Sequence, residues 1–224
     1  MLFRSTLVGR PGAGVQVVQF PGRNPVRVVF VSREIAGHAW DLAAPQGDVV
    51  AFSTLPILES KLVGQATQLT CQGRDEQFRL WMLCPDQPQL SGAGLSVTQS
   101  YDPQTGLFHA TGSFAVPRRD LSWTVHYEGE DWIWEAPVSP ELLRDVEDVV
   151  IESRYKGSHA QAFLDGHLIS DHYFGEHLVW EVALRDWLHR SGKIRLRFAG
   201  GSQAHVRVRP VVNRIAQVAW SPAR

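Results

Sequence analysis

Hydrophobic and polar residues alternate with period two along much of this chain. In 193–198 (KIRLRF), Ile194, Leu196 and Phe198 share one face while Arg195 and Arg197 share the other. In 205–210 (HVRVRP), Val206 and Val208 turn one way and His205, Arg207 and Arg209 the other. Side chains of a strand point to opposite faces in turn, so this pattern predicts strands in a sheet with one wet face. Comparable runs cover 15–20, 26–32, 48–53, 65–71, 77–84, 95–100, 107–116, 121–128, 148–155, 160–164, 167–170, 193–198, 205–211 and 216–220. Clusters such as 21–25 (PGRNP), 102–106 (DPQTG) and 200–202 (GGS) punctuate them. Asp165-Gly166, set between two apolar runs, predicts a two-residue hairpin, because that turn needs φ > 0 at both central positions. Helical signal is confined to 32–39, 140–146 and 185–190, all too short for a bundle or for βαβ units. Many short strands with turn punctuation predict an all-β protein built as a jelly-roll β-sandwich.

At 224 residues the chain holds one large β domain or two small ones. The Pro- and Gly-rich segment 86–94 (DQPQLSGAG) is the expected boundary, with a smaller β domain over 1–90 and the jelly roll over 91–224. Hydrophobic content of 44% and charged content of 20% suffice for packed cores. A net charge of −1 offers neither a basic footprint for nucleic acid nor a polybasic signal for membranes. No apolar run approaches the roughly 18 residues that span a bilayer. The first residues, MLFRSTLVGRPGAG, lack the apolar stretch of a signal peptide. The expectation is therefore a cytoplasmic protein, or a chain that begins after a removed segment. Cys71 and Cys84 are too few for a disulfide scaffold. A hairpin turning at 73–76 would place Cys71 opposite Phe78, which predicts two free thiols.

Eight tryptophans are the compositional outlier. Sugars present apolar C–H faces and fixed hydroxyls, so a site for them needs an aromatic platform beside groups that fork hydrogen bonds. Two segments supply both: 130–135 (EDWIWE), where alternation sets Trp132 and Trp134 on one face, and 171–181 (DHYFGEHLVWE). Trp132, Trp134, Asp171, His172, Tyr173, Glu176 and Trp180 are the candidate carbohydrate-binding residues. The same aromatics would serve equally as core or interface packing. An enzymatic alternative draws two carboxylates from Asp131, Glu135, Asp171, Glu176 and Glu181, since glycoside hydrolysis needs an acid and a base or nucleophile. His167, His172 and His177 recur at intervals of five without a Cys-x-x-Cys, which matches no structural zinc pattern. No cofactor is expected. Calcium is the one ion that Asp171, His172, Glu176 and nearby carbonyls would suit.

The stretch 123–208 resembles the galactose-binding-like jelly-roll region at the C-terminal end of bacterial β-galactosidase-like enzymes of glycoside hydrolase family 35. The resemblance rests on Tyr155-Lys156-Gly157, Phe163-Leu164-Asp165-Gly166, Leu168-Ile169-Ser170-Asp171, Tyr173-Phe174-Gly175 and Trp180-Glu181-Val182-Ala183-Leu184. Ser158 stands where the family commonly has Asp, and Asp165 where it commonly has Asn. Val28–Glu34 with Ala39-Trp40 is similar to the segment that follows the barrel. The resemblance implies a non-catalytic carbohydrate-binding or structural module, or a subunit. Its ligand would be a galactoside or polysaccharide and its partner a barrel-containing glycoside hydrolase chain. The family's acid and nucleophile lie on barrel strands, and this chain is shorter than the roughly 250 residues of a typical barrel. A protein-interaction sandwich is the remaining reading.

Overall fold

The computed structural model describes residues 15–20, 26–47, 49–74, 77–173, 178–201 and 203–220. Strands take 65% of the described residues and helix 3%, which makes the protein an all-β sandwich. Two compact units form. The first comprises residues 1–115 and 214–224, the second residues 116–213. The units thus divide at Ala115/Val116 and again at Asn213/Arg214, and not within 86–94. The segment 86–94 instead contributes the strand Gln89–Gly92 and the turn into the next strand, all within the first unit.

The first unit contains β1 (Val15–Phe20), β2 (Val26–Val31), the single turn α1 (Arg33–Ala36), β3 (Ala39–Leu42), β4 (Val49–Ser53), β5 (Ile57–Val63), β6 (Ala66–Gly73), β7 (Gln77–Leu83), β8 (Gln89–Gly92), β9 (Leu95–Asp102) and β10 (Leu107–Phe114). A five-stranded sheet runs β3-β4-β7-β10-β9. Leu42, Val49, Ala51, Leu80, Met82, Phe108 and Ala110 line its inner face and meet Ile57, Leu69, Leu90, Ala216 and Val218 from the other layer in one buried cluster. Thr67 is fully buried within the unit because both hydroxyl roles are used. It donates to the Ala43 carbonyl and accepts from Trp220 Nε1 at 2.8 Å.

Neither Cys71 nor Cys84 forms a disulfide, and both are buried in that cluster. They do not share a hairpin, because β6 pairs with β5 while β7 pairs with β4 and β10. Burial pushes the Cys71 thiol up to about 11, so it stays protonated at neutral pH. Both thiols are expected to resist alkylation or Ellman's reagent in native protein and to react fully in denaturant. Fast labelling of native protein at pH 8 would contradict this placement.

The second unit contains β11 (Thr124–Glu128), β12 (Asp131–Val138), a 3-10 turn (Pro140–Leu143), β13 (Asp148–Lys156), β14 (His159–Leu164), β15 (His167–Tyr173), β16 (Trp180–Ala183), β17 (Gly192–Ala199) and the first part of β18 (Gln203–Ala219). One sheet runs β11-β12-β17-β14-β15 and the other β16-β13-β18. From β12 onward the chain alternates between the two layers, leaving the first sheet for β13, returning for the β14–β15 hairpin, crossing to β16, returning for β17 and crossing again to β18. That is the path of a jelly roll. Phe198, Leu196 and Ile194 from β17, Ala160 and Ala162 from β14, Val149 and Ile151 from β13, and Trp180 and Val182 from β16 fill the space between layers. The sequence pattern placed two strands at 205–211 and 216–220. They are one strand of 17 residues, whose polar Asn213-Arg214 step interrupts the pattern and not the backbone.

Candidate functional site

The Asp165-Gly166 turn has φ of 49° and 83°, as a type I′ turn requires. It sets β15 as the edge strand beside β14. Asp165 also fastens the turn to β17 by accepting from the Lys193 N–H at 2.8 Å. Alternation then sorts the side chains. Ala160 and Ala162 are fully buried on the inner face, so His159 and Gln161 of β14, and Asp171 and Tyr173 opposite them in β15, turn outward. Arg197 stands beside Gln161 on β17, and Ala199 beside His159. Asp131 and Ile133 continue the same two rungs on β12.

The outer face is consequently a small patch of two rungs. One carries Asp171, Gln161 and Arg197, and the other Tyr173, His159, Ala199 and Asp131. Tyr173 is 58% exposed, and its ring stacks on His159 with centroids 5.5 Å apart and planes 19° apart. Ala199 leaves a low place between His159 and Asp131. Arg197 grips Asp131 through Nε at 2.6 Å and Nη2 at 2.5 Å and donates from Nη1 to Gln161 Oε1 at 3.3 Å. The Gly200 N–H reaches the other Asp131 oxygen at 3.3 Å. Hydrogen bonding from Arg197, above all, holds the Asp131 carboxyl below its usual range. Further along the face, Arg195 bonds Glu128 and lies 3.5 Å from Glu135, and Lys193 lies 3.0 Å from Glu135. Arg195, and then His126, lower the Glu128 carboxyl in the same way.

The sequence-predicted residues divide between surfaces. Asp171 and Tyr173 belong to the outer patch. His172, between them, turns inward and stacks against Trp180 at 6.4 Å. Tyr155 Oη lies 3.0 Å from both His172 Nδ1 and the His172 carbonyl. The Tyr155 hydroxyl satisfies both contacts when its hydrogen is donated to the carbonyl and its oxygen accepts from Nδ1–H. Trp180 is 3% exposed, its Nε1 donates to Ser170 Oγ at 3.1 Å, and it packs edge-on to Phe198. Its indole is a core residue with its polar atom satisfied, not an open platform.

Trp132 and Trp134 share one face, as alternation requires, but it is the inner one. They contact each other edge-on at 5.6 Å and pack against the core, with Trp123 edge-on to Trp134 at 5.8 Å. Only Tyr127, 61% exposed and stacked on Trp132 at 6.0 Å, carries this aromatic row to the surface. Glu176 lies outside the described residues. Sequence reasoning did not select His159, Gln161 and Arg197. Their signal was the alternation of β14 and β17, which makes them face-mates of Asp171 and Tyr173.

Asp131 and Asp171, two of the sequence-predicted carboxylates, do not stand at the spacing of a glycosidase pair. Asp171 on β15 and Asp131 on β12 share a face but are separated by β14 and β17. That makes three inter-strand steps of about 4.8 Å, or about 14 Å, against at most about 9.5 Å for an inverting pair. Glu181 turns outward from the other sheet, opposite Glu152. Asp131 is held ionised, the wrong state for a general acid. Among the described residues no three His, Cys, Asp or Glu side chains gather as a metal-ligand set. No protein-family model matches the chain, and no curated protein matches it either.

Proposed function

We propose that this chain is a non-catalytic carbohydrate-binding module of the kind that accompanies β-galactosidase-like glycoside hydrolases, and that the outer patch of the β11-β12-β17-β14-β15 sheet is its sugar surface. The carrying observation is the exposed Tyr173 ring, backed by His159 and bordered by Asp171, Gln161, Arg197 and Asp131. A sugar ring stacked on Tyr173 would bring its hydroxyls over an amide, a guanidinium and two carboxylates, which together donate and accept. Because Asp131 and Arg197 already hold one another in place, little ordering entropy is lost when they receive a hydroxyl.

Calorimetric titration with galactosides and with plant and bacterial polysaccharides tests this. Tyr173→Ala removes the stacking platform, worth about 1 kcal/mol, and is expected to weaken binding roughly fivefold. Asp171→Asn is expected to weaken it by a similar factor, and Trp180→Phe to lower stability while leaving affinity unchanged. Absence of binding across the panel, or binding indifferent to both patch variants, would sink the proposal.

The partner role has its own support. Edge strand β11 exposes Val125 and Tyr127, at 41% and 61%, beside a strand edge that no described strand pairs. A barrel-containing chain docking there would co-purify with the protein, and Tyr127→Ser would release it. A homogeneous monomer in the presence of that chain would argue against docking.

A further inference from the structure

The first unit carries a groove on the outer face of its five-stranded sheet, with a volume of about 420 Å3. That is within the range of small-molecule sites. Register builds it. Arg79, Thr111 and Thr98 stand side by side on β7, β10 and β9, and Gln77, Ser113 and Ser96 form the matching row two residues away. Between the rows lies the inward-facing rung of Phe78, Gly112 and Val97. A Cβ on Gly112 would sit 2.5 Å from the Ser96 carbonyl and 2.7 Å from the Phe78 ring, so glycine lets that ring close against the underside of the floor. Thr54 completes the lining, its Oγ1 accepting from the Arg79 backbone N–H at 2.8 Å.

The rest of this face is covered. Ile35, Val29 and Val31 pack over Phe52, Trp81 and Leu107. His109 marks the border, its ring stacked on Trp81 at 5.2 Å and its Nε2 buried without a hydrogen-bond partner among the described residues. The open half therefore ends in an apolar wall and is polar throughout.

Two chemical facts identify what fits. Among the described residues no carboxylate lines the groove, and the Arg79 guanidinium makes no ion pair or hydrogen bond. By contrast, Arg195, Arg197, Arg207 and Arg209 of the second unit all face carboxylates within 4 Å. The field of Arg79 reaches His109 and, after burial, helps keep that imidazole neutral. A cation that faces no carboxylate among the described residues asks for an anion, and guanidinium geometry matches carboxylate and sulfate oxygens. The remaining lining groups, four hydroxyls and one amide free of other side-chain hydrogen bonds among the described residues, both donate and accept in two rows across three strands. Only a ligand that carries many hydroxyls uses them, and without an exposed ring the groove offers nothing to a base or an apolar group.

We propose that this groove binds an anionic saccharide unit, its carboxylate or sulfate on Arg79 and Thr111 and its hydroxyls along Thr98, Ser96, Ser113 and Gln77. The site lies in the other unit from the Tyr173 patch and does not depend on it.

The test is calorimetry on the full chain with galacturonate and glucuronate oligosaccharides, sulfated galacto-oligosaccharides, their neutral counterparts, and sodium sulfate alone. One anionic series is expected to bind at least about tenfold more tightly than its neutral counterpart, since hydrogen bonds to charged groups are the stronger class. Whether the uronates or the sulfated series binds names the source of the charge. Arg79→Gln, which keeps the backbone bond to Thr54, and Thr111→Val, which removes one hydroxyl at nearly constant volume, are each expected to weaken that binding. The Arg79 loss should be about tenfold and should diminish as salt rises. Tyr173→Ala is expected to leave it unchanged, which separates this site from the patch of the second unit. Equal binding of charged and neutral series, or binding indifferent to both variants, would overturn the proposal. So would sodium sulfate binding as tightly as the best saccharide.

Discussion

Replacing Phe198 by Ala is expected to cost the second unit about 3–5 kcal/mol, the usual range for emptying a fully buried aromatic position. Phe198 has no exposed surface. On its sheet it lies between Trp132 of β12 and Ala160 of β14. Its ring meets Tyr155 at 5.2 Å and Trp180 at 6.2 Å. Ala160 is already minimal, so no neighbour on that side can extend into the space, and the cavity stays open. The loss also reaches the edge strand, because the Tyr155 ring that Phe198 supports holds His172 of β15. Five of the eight tryptophans lie in residues 116–213, so their fluorescence reports this unit. The midpoint of that transition should fall by more than about 12 °C in Phe198→Ala, and by far less in Phe198→Leu, which refills most of the volume. A drop of only a few degrees in the Ala variant would mean that the aromatic cluster repacks and that Phe198 is not its keystone.

How Phe198 was legible from sequence shows where such reading succeeds. KIRLRF alternates without interruption, and each of its apolar positions is fully buried in β17. The Asp165-Gly166 turn was equally clear, because few sequences tolerate two successive positive φ values. Elements failed where alternation lapses. β5 (ILESKLV) buries only its first residue, so it carries no pattern. β8 is four residues long and holds one buried side chain. The unit boundary was misplaced for a related reason. Pro and Gly in 86–94 do mark turns, but a turn within a unit and a linker between units have the same local composition. The return of residues 214–224 to the first unit is a long-range fact with no local sign.

The candidate site was half legible. Residue type singled out Tyr173 and Asp171, but type alone also selected His172, on the opposite face of β15, and Trp180, which faces the core from β16 of the other sheet. In a strand, adjacent residues cannot serve one surface, so β15 could offer either 171 and 173 or 172, not all three. Applying alternation to the aromatic, acidic segment, as was done for the Arg-rich strands, would have divided the set correctly. Trp132 and Trp134 were paired correctly, but the direction they face was left open, because both faces of EDWIWE are plausible interiors: the structure buries Ile133 completely beneath the ionic side chains of the other face.

The Arg-rich strands themselves carry the last expected result. Arg207 and Arg209 share the outer face of β18, where sequence alone suggested a solvated surface. Instead they converge on Glu152 of β13, whose side chain is only 7% exposed. Its Oε2 lies 3.1 Å from Arg207 Nε and 3.2 Å from Arg209 Nη1, and its Oε1 lies 3.3 Å from the same Nη1. Removing one partner of a buried pair is strongly destabilising, by about 3–5 kcal/mol where the remaining charge has nothing else to face. Glu152→Ala should cost about 3 kcal/mol, because it removes the carboxylate on which Arg207 and Arg209 converge, and Arg209 has only 18% side-chain exposure. Arg207→Ala should cost no more than about 1 kcal/mol, as its side chain is 53% exposed and water replaces the bond. The sharper test is the double variant Glu152→Met with Arg209→Leu. Removing both charges together also removes the desolvation penalty, so this protein should be close to wild type in urea, far above Glu152→Ala. If the double variant is as unstable as the single one, the loss comes from packing volume at β13, and the ion pair is not what holds the two strands in register.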